Sequence, residues 1–422
     1  MRLLLLFALT PAIHGYSVLT HQAIIDTAWK DSIEPALKSR FPAATIEQLV
    51  EAHAYAYGGS ILQDMGYYPF GSKLFSDLVH YVRSGDFVAS LLRQARDLDE
   101  YAFAVGALAH YAADTRGHPL AVNRAVPVLY PKLRSEYGEE VTYAENPAAH
   151  LKTEFGFDVL QVARGNYAPK AYRDFIGFKV SKDVLERSFA ETYALELKDV
   201  MASVDLALGS YRYAVAHLVP ESTKIAWELK QDEIVKATPG ITREKFLYTL
   251  SRAEYRKEWG GGYERPGPFA RAMALLFRLL PKIGPFKAVA FRPPTAETAR
   301  LFMMSFNRTV EDYRGLLAKA RRGRLDLVNL DFDTGRRVHP GEYPLADKTY
   351  GKLVIKLAER DFRGASPELR KNIADFYAAA PAPPHRSKEW RKTEAALQEL
   401  KGAVSYHPGP PERPSDNLPS RP

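Results

Sequence analysis

Apolar residues recur along most of the chain at intervals of three and four, the spacing that places side chains on one face of an α-helix. The clearest runs are residues 19–41, 45–59, 86–97, 99–117, 148–163, 181–219 and 222–237. Thr45 is expected to cap the second run, and Gly117 with Pro119 to end the fourth. No alternating run bounded by hairpin signals is found. The pattern predicts an all-α fold.

The pattern changes near residue 237, where glycine- and proline-rich pieces begin to separate shorter helical runs. We expect residues 16–236 to form one helical domain and residues 237–379 a helical extension of unknown role. Residues 380–422 are expected to be a proline-rich, partly disordered tail. Residues 269–291 are apolar and basic, which favours a buried helix and turn and leaves open a helix lying on a membrane surface.

Residues 1–15 have the features of a secretory signal peptide: one basic residue, a short apolar run, a proline, and then small or polar residues. The apolar run is too short to span a bilayer, which takes about 20 residues. Cleavage after Gly15 would make Tyr16 the first residue of a secreted or periplasmic protein. The chain has no cysteine, so any metal site must use histidine, aspartate, glutamate and backbone groups.

The net charge is unevenly distributed along the chain. Residues 1–160 carry 13 basic and 18 acidic side chains, a net charge of −5, whereas residues 161–422 carry 45 and 32, a net charge of +13. The acidic first part suits a cation site. The basic second part suits an anionic partner such as phosphate, a membrane surface or nucleic acid, or is simply a solvated basic surface.

Residues that ligate metals stand at four-residue steps in two predicted helices. His110, Asp114 and His118 share one helix face, and His150 with Glu154 repeats the step. A single pair of this kind is more often a surface ion pair than a pair of ligands. Two such helices in one chain favour a site that combines imidazole and carboxylate, as zinc prefers.

Further residues of the same types lie near these helices in the sequence. Asp64 precedes His80, and His21 lies five residues after Tyr16. Together with the two helices they predict a site for several metal ions. The remaining histidines lack a ligand pattern and are interpreted as structural: His53, His217, His339, His385 and His407. Three carboxylates near the motifs are interpreted as solvated or as orienting the imidazoles: Asp26, Asp77 and Asp158.

The ordered set of these residues resembles the secreted zinc-dependent phospholipase C family and the related single-strand-specific zinc nucleases. Both are all-α enzymes with three clustered zinc ions. The opening "YSVLTH" is similar to the start of their mature chains, where the amino and carbonyl groups of a tryptophan bind zinc; Tyr16 stands in its place. The resemblance covers residues 16 to about 230.

The resemblance implies a ligand set for each ion. One zinc would be held by Tyr16, His21 and Asp114. A second would be held by His80, His110 and Asp114, with Asp64 bound to the ion or to its water. The third would be held by His118, His150 and Glu154. The four-residue gap between Asp114 and His118 is shorter than the family usually has.

A zinc cluster of this kind suits phosphate-ester hydrolysis by an activated hydroxide, with Asp64 orienting the water or accepting its proton. The first interpretation is a phospholipase C that acts on glycerophospholipid, with a membrane surface as a candidate place where the enzyme meets this substrate. The His150–Glu154 pair, the aromatic stretch at residues 66–75 and the basic second part favour it, although the aromatics could equally pack in the core. No protein partner is predicted.

Two alternatives remain open from the sequence. One is a single-strand-specific nuclease or nucleotidase with the same three zinc ions, whose partner would be nucleic acid. The other is a non-catalytic, zinc-stabilised helical module with a binding role. The complete ligand set argues against the second alternative, because structural zinc sites are closed and need only one ion.

Overall fold

The computed structural model describes residues 17–68, 70–163, 179–213, 291–379 and 387–405, with short pieces between residues 227 and 243. Within these residues the chain is helical and contains no strand; one isolated antiparallel bridge joins Leu330 and Arg337. The all-α prediction is therefore confirmed. The signal segment, Tyr16 and all of residues 269–291 except Phe291 lie outside the described residues.

The helices are named here in chain order. They are α1 (Val18–Ala28), α2 (Glu34–Arg40), α3 (Ile46–Ser60), α4 (Lys73–Tyr81), α5 (Ser84–Gln94), α6 (Leu98–Gly117), α7 (Asn123–Leu129), α8 (Pro131–Tyr137), α9 (Pro147–Ala163), α10 (Lys182–Tyr193), α11 (Leu197–Val200), α12 (Val204–Tyr213), α13 (Ala296–Arg321), α14 (Pro344–Ala358), α15 (Pro367–Ala378) and α16 (Lys388–Ser405). A 3-10 turn covers Leu62–Tyr67, and π-helical turns cover Trp29–Ile33 and His118–Val122. None of the helices described is both long enough and apolar enough to cross a membrane.

The predicted helix signals have mixed outcomes. Thr45 caps α3 as expected: its side chain accepts a hydrogen bond from the Gln48 N–H, and the Gln48 side chain accepts one from the Thr45 N–H. α6 ends at Gly117 as predicted, but the chain continues as a π-helical turn. Pro119 does not prevent this, because it lies in the first turn of that segment, where a missing N–H is tolerated. The long run at 181–219 is divided into α10, α11 and α12 over its described part.

Helix α6 is the centre of the fold. Nearly all of its residues are buried, and it packs against α3, α5 and α13. A helix that is buried on all sides is surrounded by other elements and lacks a solvent-facing polar stripe. The side chains of α6 therefore project into the protein interior, including those of its metal-ligating types.

The C-terminal residues share the core of the first part of the chain. On α13, Phe302 is fully buried, with its ring centroid 4.8 Å from that of Phe157 on α9. The hydroxyl of Tyr313 donates to the Val105 carbonyl of α6 at 3.0 Å. The apolar core is continuous from α1 to α16. The described part of the extension at 237–379 is thus packed into the same body as the first part.

The tail also contains structure that its proline content did not predict. Helix α16 lies within residues 380–422 and packs on α14, with Ala396 and Leu400 buried. Residues 406–422 lie outside the described residues.

Truncation of a core side chain on α13 should destabilise the whole protein. We expect Phe302→Ala to lower the free energy of unfolding by about 3–5 kcal/mol, because the lost ring leaves a cavity against α9. The control is Met304→Ala on the same helix, where the side chain is 61% exposed and the change should stay within about 0.5 kcal/mol. Urea unfolding followed by circular dichroism measures both. Equal stability of the two variants would contradict the shared core.

Candidate metal centre

Helix α6 and the π-helical turn that continues it carry three potential ligands, as the four-residue steps predicted: His110 and Asp114 on the helix and His118 on the turn. The Nε2 atom of His110 lies 3.1 Å from Asp114 Oδ2, and the Nε2 atom of His118 lies 3.9 Å from the same oxygen. All three side chains are fully buried. His118 is the first residue of the π-helical turn, and the short gap from Asp114 still leaves it beside that carboxylate.

A first group of ligands forms around Asp114. It contains Asp64, His80, His110 and Asp114, whose ligand atoms all lie within 4.8 Å of one another. His80 Nε2 lies 3.5 Å from Asp64 Oδ1 and 3.6 Å from Asp114 Oδ2. The 3-10 turn supplies Asp64, and α4 supplies His80. Four of the predicted ligands, from three structural elements, therefore lie together.

A second group contains His118, His150 and Glu154, again with ligand atoms within 4.8 Å of one another. His150 Nδ1 lies 3.6 Å from Glu154 Oε1 on α9, and the rings of His118 and His150 stack at 5.8 Å. All three side chains are buried. The two groups are neighbours, because His118 also faces Asp114 of the first group.

His21 faces the other carboxylate oxygen of Asp114. Its Nε2 lies 3.5 Å from Asp114 Oδ1, and its ring stacks on that of His110 at 4.4 Å. Asp158 holds the start of α1 beside it, since its carboxylate accepts from the Leu19 N–H at 3.1 Å and the Thr20 hydroxyl at 2.6 Å. Tyr16, the other predicted ligand here, lies outside the described residues.

Backbone carbonyls set the orientation of three imidazoles. The Nδ1 of His80 contacts the Ser76 carbonyl at 2.8 Å, and the Nδ1 of His110 contacts the Ser60 carbonyl at 2.9 Å. A carbonyl only accepts, so each of these Nδ1 atoms carries a hydrogen, and Nε2 is the ring nitrogen that faces the group. His150 is reversed: its Nε2 donates to the Val141 carbonyl, and Nδ1 faces Glu154.

Many polar atoms of the two groups make no hydrogen bond among the described residues. In the two groups these atoms are the two carboxylate oxygens of each of Asp64, Asp114 and Glu154, Nε2 of His110, both ring nitrogens of His118, and Nδ1 of His150. The Oδ1 atom of the neighbouring Asp333 makes none either. A buried polar atom without a partner costs about 1–3 kcal/mol, and more if it is charged. Imidazole nitrogens and carboxylate oxygens are the ligands that zinc prefers where thiolates are absent. The residues therefore fit a zinc cluster.

Burial keeps two of the histidines neutral. Burial, followed by the charge of His110, lowers the pKa of His21 to about 3. Burial and then His118 lower the pKa of His150 to about 3. Both rings are therefore uncharged at neutral pH and keep the lone pair that a metal requires.

The carboxylates differ from one another in charge. Burial alone would raise the pKa of Asp114, but His110 and His80 hold it well below the usual value, so this carboxylate is ionised. Burial opposes protonation of His80, yet Asp114 and Asp64 raise its pKa to about 10. Burial raises the pKa of Asp64 and of Glu154. A bound cation would favour the ionised form of both.

The residues interpreted as structural lie apart from the ligand groups. His53 contacts the Asp26 carboxylate at 3.0 Å and stacks on Trp29 at 3.7 Å. Asp77 pairs with Lys73 on α4, and Asp158 holds α1 rather than an imidazole. His339 is exposed, while His217, His385 and His407 lie outside the described residues.

The aromatic stretch after Asp64 packs in the core. Tyr67, Tyr68 and Phe75 are buried, and the Tyr67 ring meets the His80 ring edge-on at 5.9 Å. Of the two interpretations that the sequence left open for these aromatics, the structure therefore favours core packing. They support neither a lipid-binding nor a base-stacking surface.

Sequence reasoning missed Asp333. This fully buried residue lies 3.6 Å from His118 Nε2 through its Oδ1. The run "DFDTG" at 331–335 was the available signal, but it stands far from every other ligand in the chain and has no helical spacing.

Two glycines allow α3 and α6 to approach closely at this site. A Cβ on Gly59 would lie 1.9 Å from a carbonyl oxygen of α6, and a Cβ on Gly106 would lie 2.1 Å from one of α3. The next residue of α3, Ser60, supplies the carbonyl that orients His110, one turn after Gly106. The close approach of the two helices thus places a carbonyl beside a ligand.

Filling this contact should separate the two helices. We expect Gly106→Ala to lower the free energy of unfolding by about 1–3 kcal/mol through overpacking. Gly315→Ala on α13 is the matched control: its Cβ would meet nothing within 4 Å, so the better helix propensity of alanine should add about 0.5–1 kcal/mol. Urea denaturation of both variants measures the difference. The same sign of change in both would argue against the close contact.

The comparison with known proteins found a similarity for residues 20–203 of the chain. The sequence model of a family described as zinc dependent phospholipase C matches residues 20–203. No curated protein and no solved structure matches the chain. The matched segment contains all the ligands of both groups, together with His21. Residues 20–203 of the chain are therefore similar to the zinc-dependent phospholipase C family.

Proposed function

We propose that the protein is a secreted zinc-dependent phospholipase C that hydrolyses glycerophospholipids to diacylglycerol and a phosphorylated head group. The observation that carries the proposal is the convergence of buried imidazoles and carboxylates from α1, the 3-10 turn, α4, α6 and α9 on Asp114 and His118. A buried set of this composition has no role in packing an apolar core, and a cation would compensate it.

The positions of the side chains support three ions, with Asp114 shared between two of them. Asp114 Oδ1 faces His21, while Oδ2 faces His80 and His110. A carboxylate with its two oxygens directed at different imidazoles is arranged as a bridging ligand. In this proposal Tyr16 completes the ion at His21 through its amino and carbonyl groups, which requires cleavage after Gly15.

When bound, zinc ions lower the pKa of a water and neutralise charge on a phosphate ester. The contribution of the protein's own residues is to place a proton acceptor beside the metal site. Asp64 is proposed as that acceptor, because its carboxylate is buried beside the other ligands of the first group and its oxygens make no hydrogen bond among the described residues. The Nε2 atom of His80 lies 3.5 Å from Asp64 Oδ1.

The choice of phospholipid over nucleic acid rests on the family match and on the His150–Glu154 pair, and the basic charge of residues 161–422 is compatible with both partners. The net positive charge suits the anionic surface of a membrane, where the substrate would be met. A nuclease would use the same ligands, so the metal groups alone do not separate these two activities.

The wild-type mature protein should contain two to three zinc ions per chain. Asp114→Asn should remove at least one, because this carboxylate faces both the first group and His21 and an amide is a poor ligand. The metal content is measured by mass spectrometry of protein prepared without chelator. Added zinc should raise the melting temperature of the wild type, since it binds only the folded state.

His53→Ala is the control for this experiment. His53 is a partly buried histidine paired with a carboxylate, but it lies outside both groups. Its loss should leave the zinc content unchanged. One ion or none in the wild type would contradict the proposed cluster.

The substrate is tested by parallel assays on phosphatidylcholine vesicles and on single-stranded DNA. We expect the wild type to release a phosphorylated head group from the vesicles. Asp64→Asn should lower this rate to below about 1% of the wild-type rate, because the proton acceptor is lost. DNA should be cleaved poorly. Robust DNA cleavage without lipid hydrolysis would instead assign the nuclease activity to the same site.

A further inference from the structure

The segment between α13 and α14 is inserted against the metal groups. The backbone N–H of Phe332 donates to the His80 carbonyl at 3.3 Å, and the side-chain amide of Asn123 donates to the Asp333 carbonyl at 2.8 Å. The Phe332 ring lies 5.1 Å from that of His80. This segment is far beyond residue 203, where the family match ends, yet it contacts residues of the first part directly.

The carboxylate of Asp333 is held from one side only. Its Oδ2 accepts hydrogen bonds from the hydroxyls of Tyr81, at 2.8 Å, and of Tyr343. Its backbone N–H donates to Asp331 Oδ1 at 2.8 Å. Its Oδ1 is buried, makes no hydrogen bond among the described residues, and lies 3.6 Å from His118 Nε2. The two tyrosines therefore direct Oδ1 at His118.

The distance between these two atoms suits two ligands of one ion. At 3.6 Å the contact is too long for a hydrogen bond. Ligands about 2.0–2.2 Å from a tetrahedral zinc are about 3.3–3.6 Å apart. The His150–Glu154 pair shows the same 3.6 Å separation. The group of His118, His150 and Glu154 offers three protein ligands, and a tetrahedral ion takes four.

We propose that Asp333 belongs to the second metal site and supplies the fourth protein ligand of the ion held by His118, His150 and Glu154. This inference rests on the proposed function. Its consequence is that the C-terminal part of the chain is a component of the metal centre, because one ligand comes from outside the segment that matches the family.

Asp333→Asn tests the inference with little change in shape. The amide oxygen can still accept from Tyr81 and Tyr343, while the amide nitrogen in place of Oδ1 cannot bind a metal. We expect the variant to lose one zinc ion per chain, or to bind that ion at least tenfold more weakly in a competition with a chromophoric chelator. Tyr343→Phe, which removes a hydrogen bond but keeps Oδ1, should retain the full zinc content.

A second pair of variants separates ligation from structure. Asp333→Cys and Asp333→Ser both remove the carboxylate that accepts from the tyrosines and differ in size by little, but only the thiolate binds zinc well. The cysteine variant should retain the ion and the serine variant should lose it. Wild-type zinc content and affinity in Asp333→Asn, or equal loss in the cysteine and serine variants, would overturn the inference. A wild type that holds no zinc would instead overturn the proposed function, and this inference with it.

Discussion

The buried charge of Asp114 is the constraint on which the rest of the structure depends. An ionised carboxylate in the interior costs several kcal/mol after relaxation unless cations or donors compensate it. Four histidines face this one group: His21, His80, His110 and His118, at 3.1–3.9 Å. Of these rings, burial keeps His21 neutral, whereas the pKa of His80 rises to about 10 against the effect of burial, because Asp114 and Asp64 both face it. A cluster of divalent cations would add positive charge to this group of carboxylates.

The helices are arranged so that three of the imidazole ligands are oriented before any ion binds. α3 contacts α6 through glycines, and this brings the Ser60 carbonyl to His110. Ser76, one turn before His80 on α4, and Val141, ahead of α9, do the same for two further rings. Such outer contacts fix which nitrogen faces the metal and reduce the conformational freedom lost when it binds.

The C-terminal part of the chain covers this centre instead of forming a separate unit. α13 packs along α6 and against α9, so it supports both helices that carry ligand pairs. The loop after it brings Phe332 and Asp333 against His80 and His118. The family match covers the ligand-bearing helices, but their surroundings depend on residues beyond it.

The sequence by itself determined the helical fold and the ligand pairs that share a helix. Apolar spacing and four-residue steps such as His110–Asp114–His118 are local, because a helix fixes the positions of residues four apart wherever it lies. What only the tertiary structure decided is how distant segments meet. The π-helical continuation after Gly117, the helix α16 in a proline-rich tail, and the approach of Asp333 to His118 all depend on packing between elements. No spacing in the chain encodes these contacts, since their free energy comes from surface buried when the helices assemble.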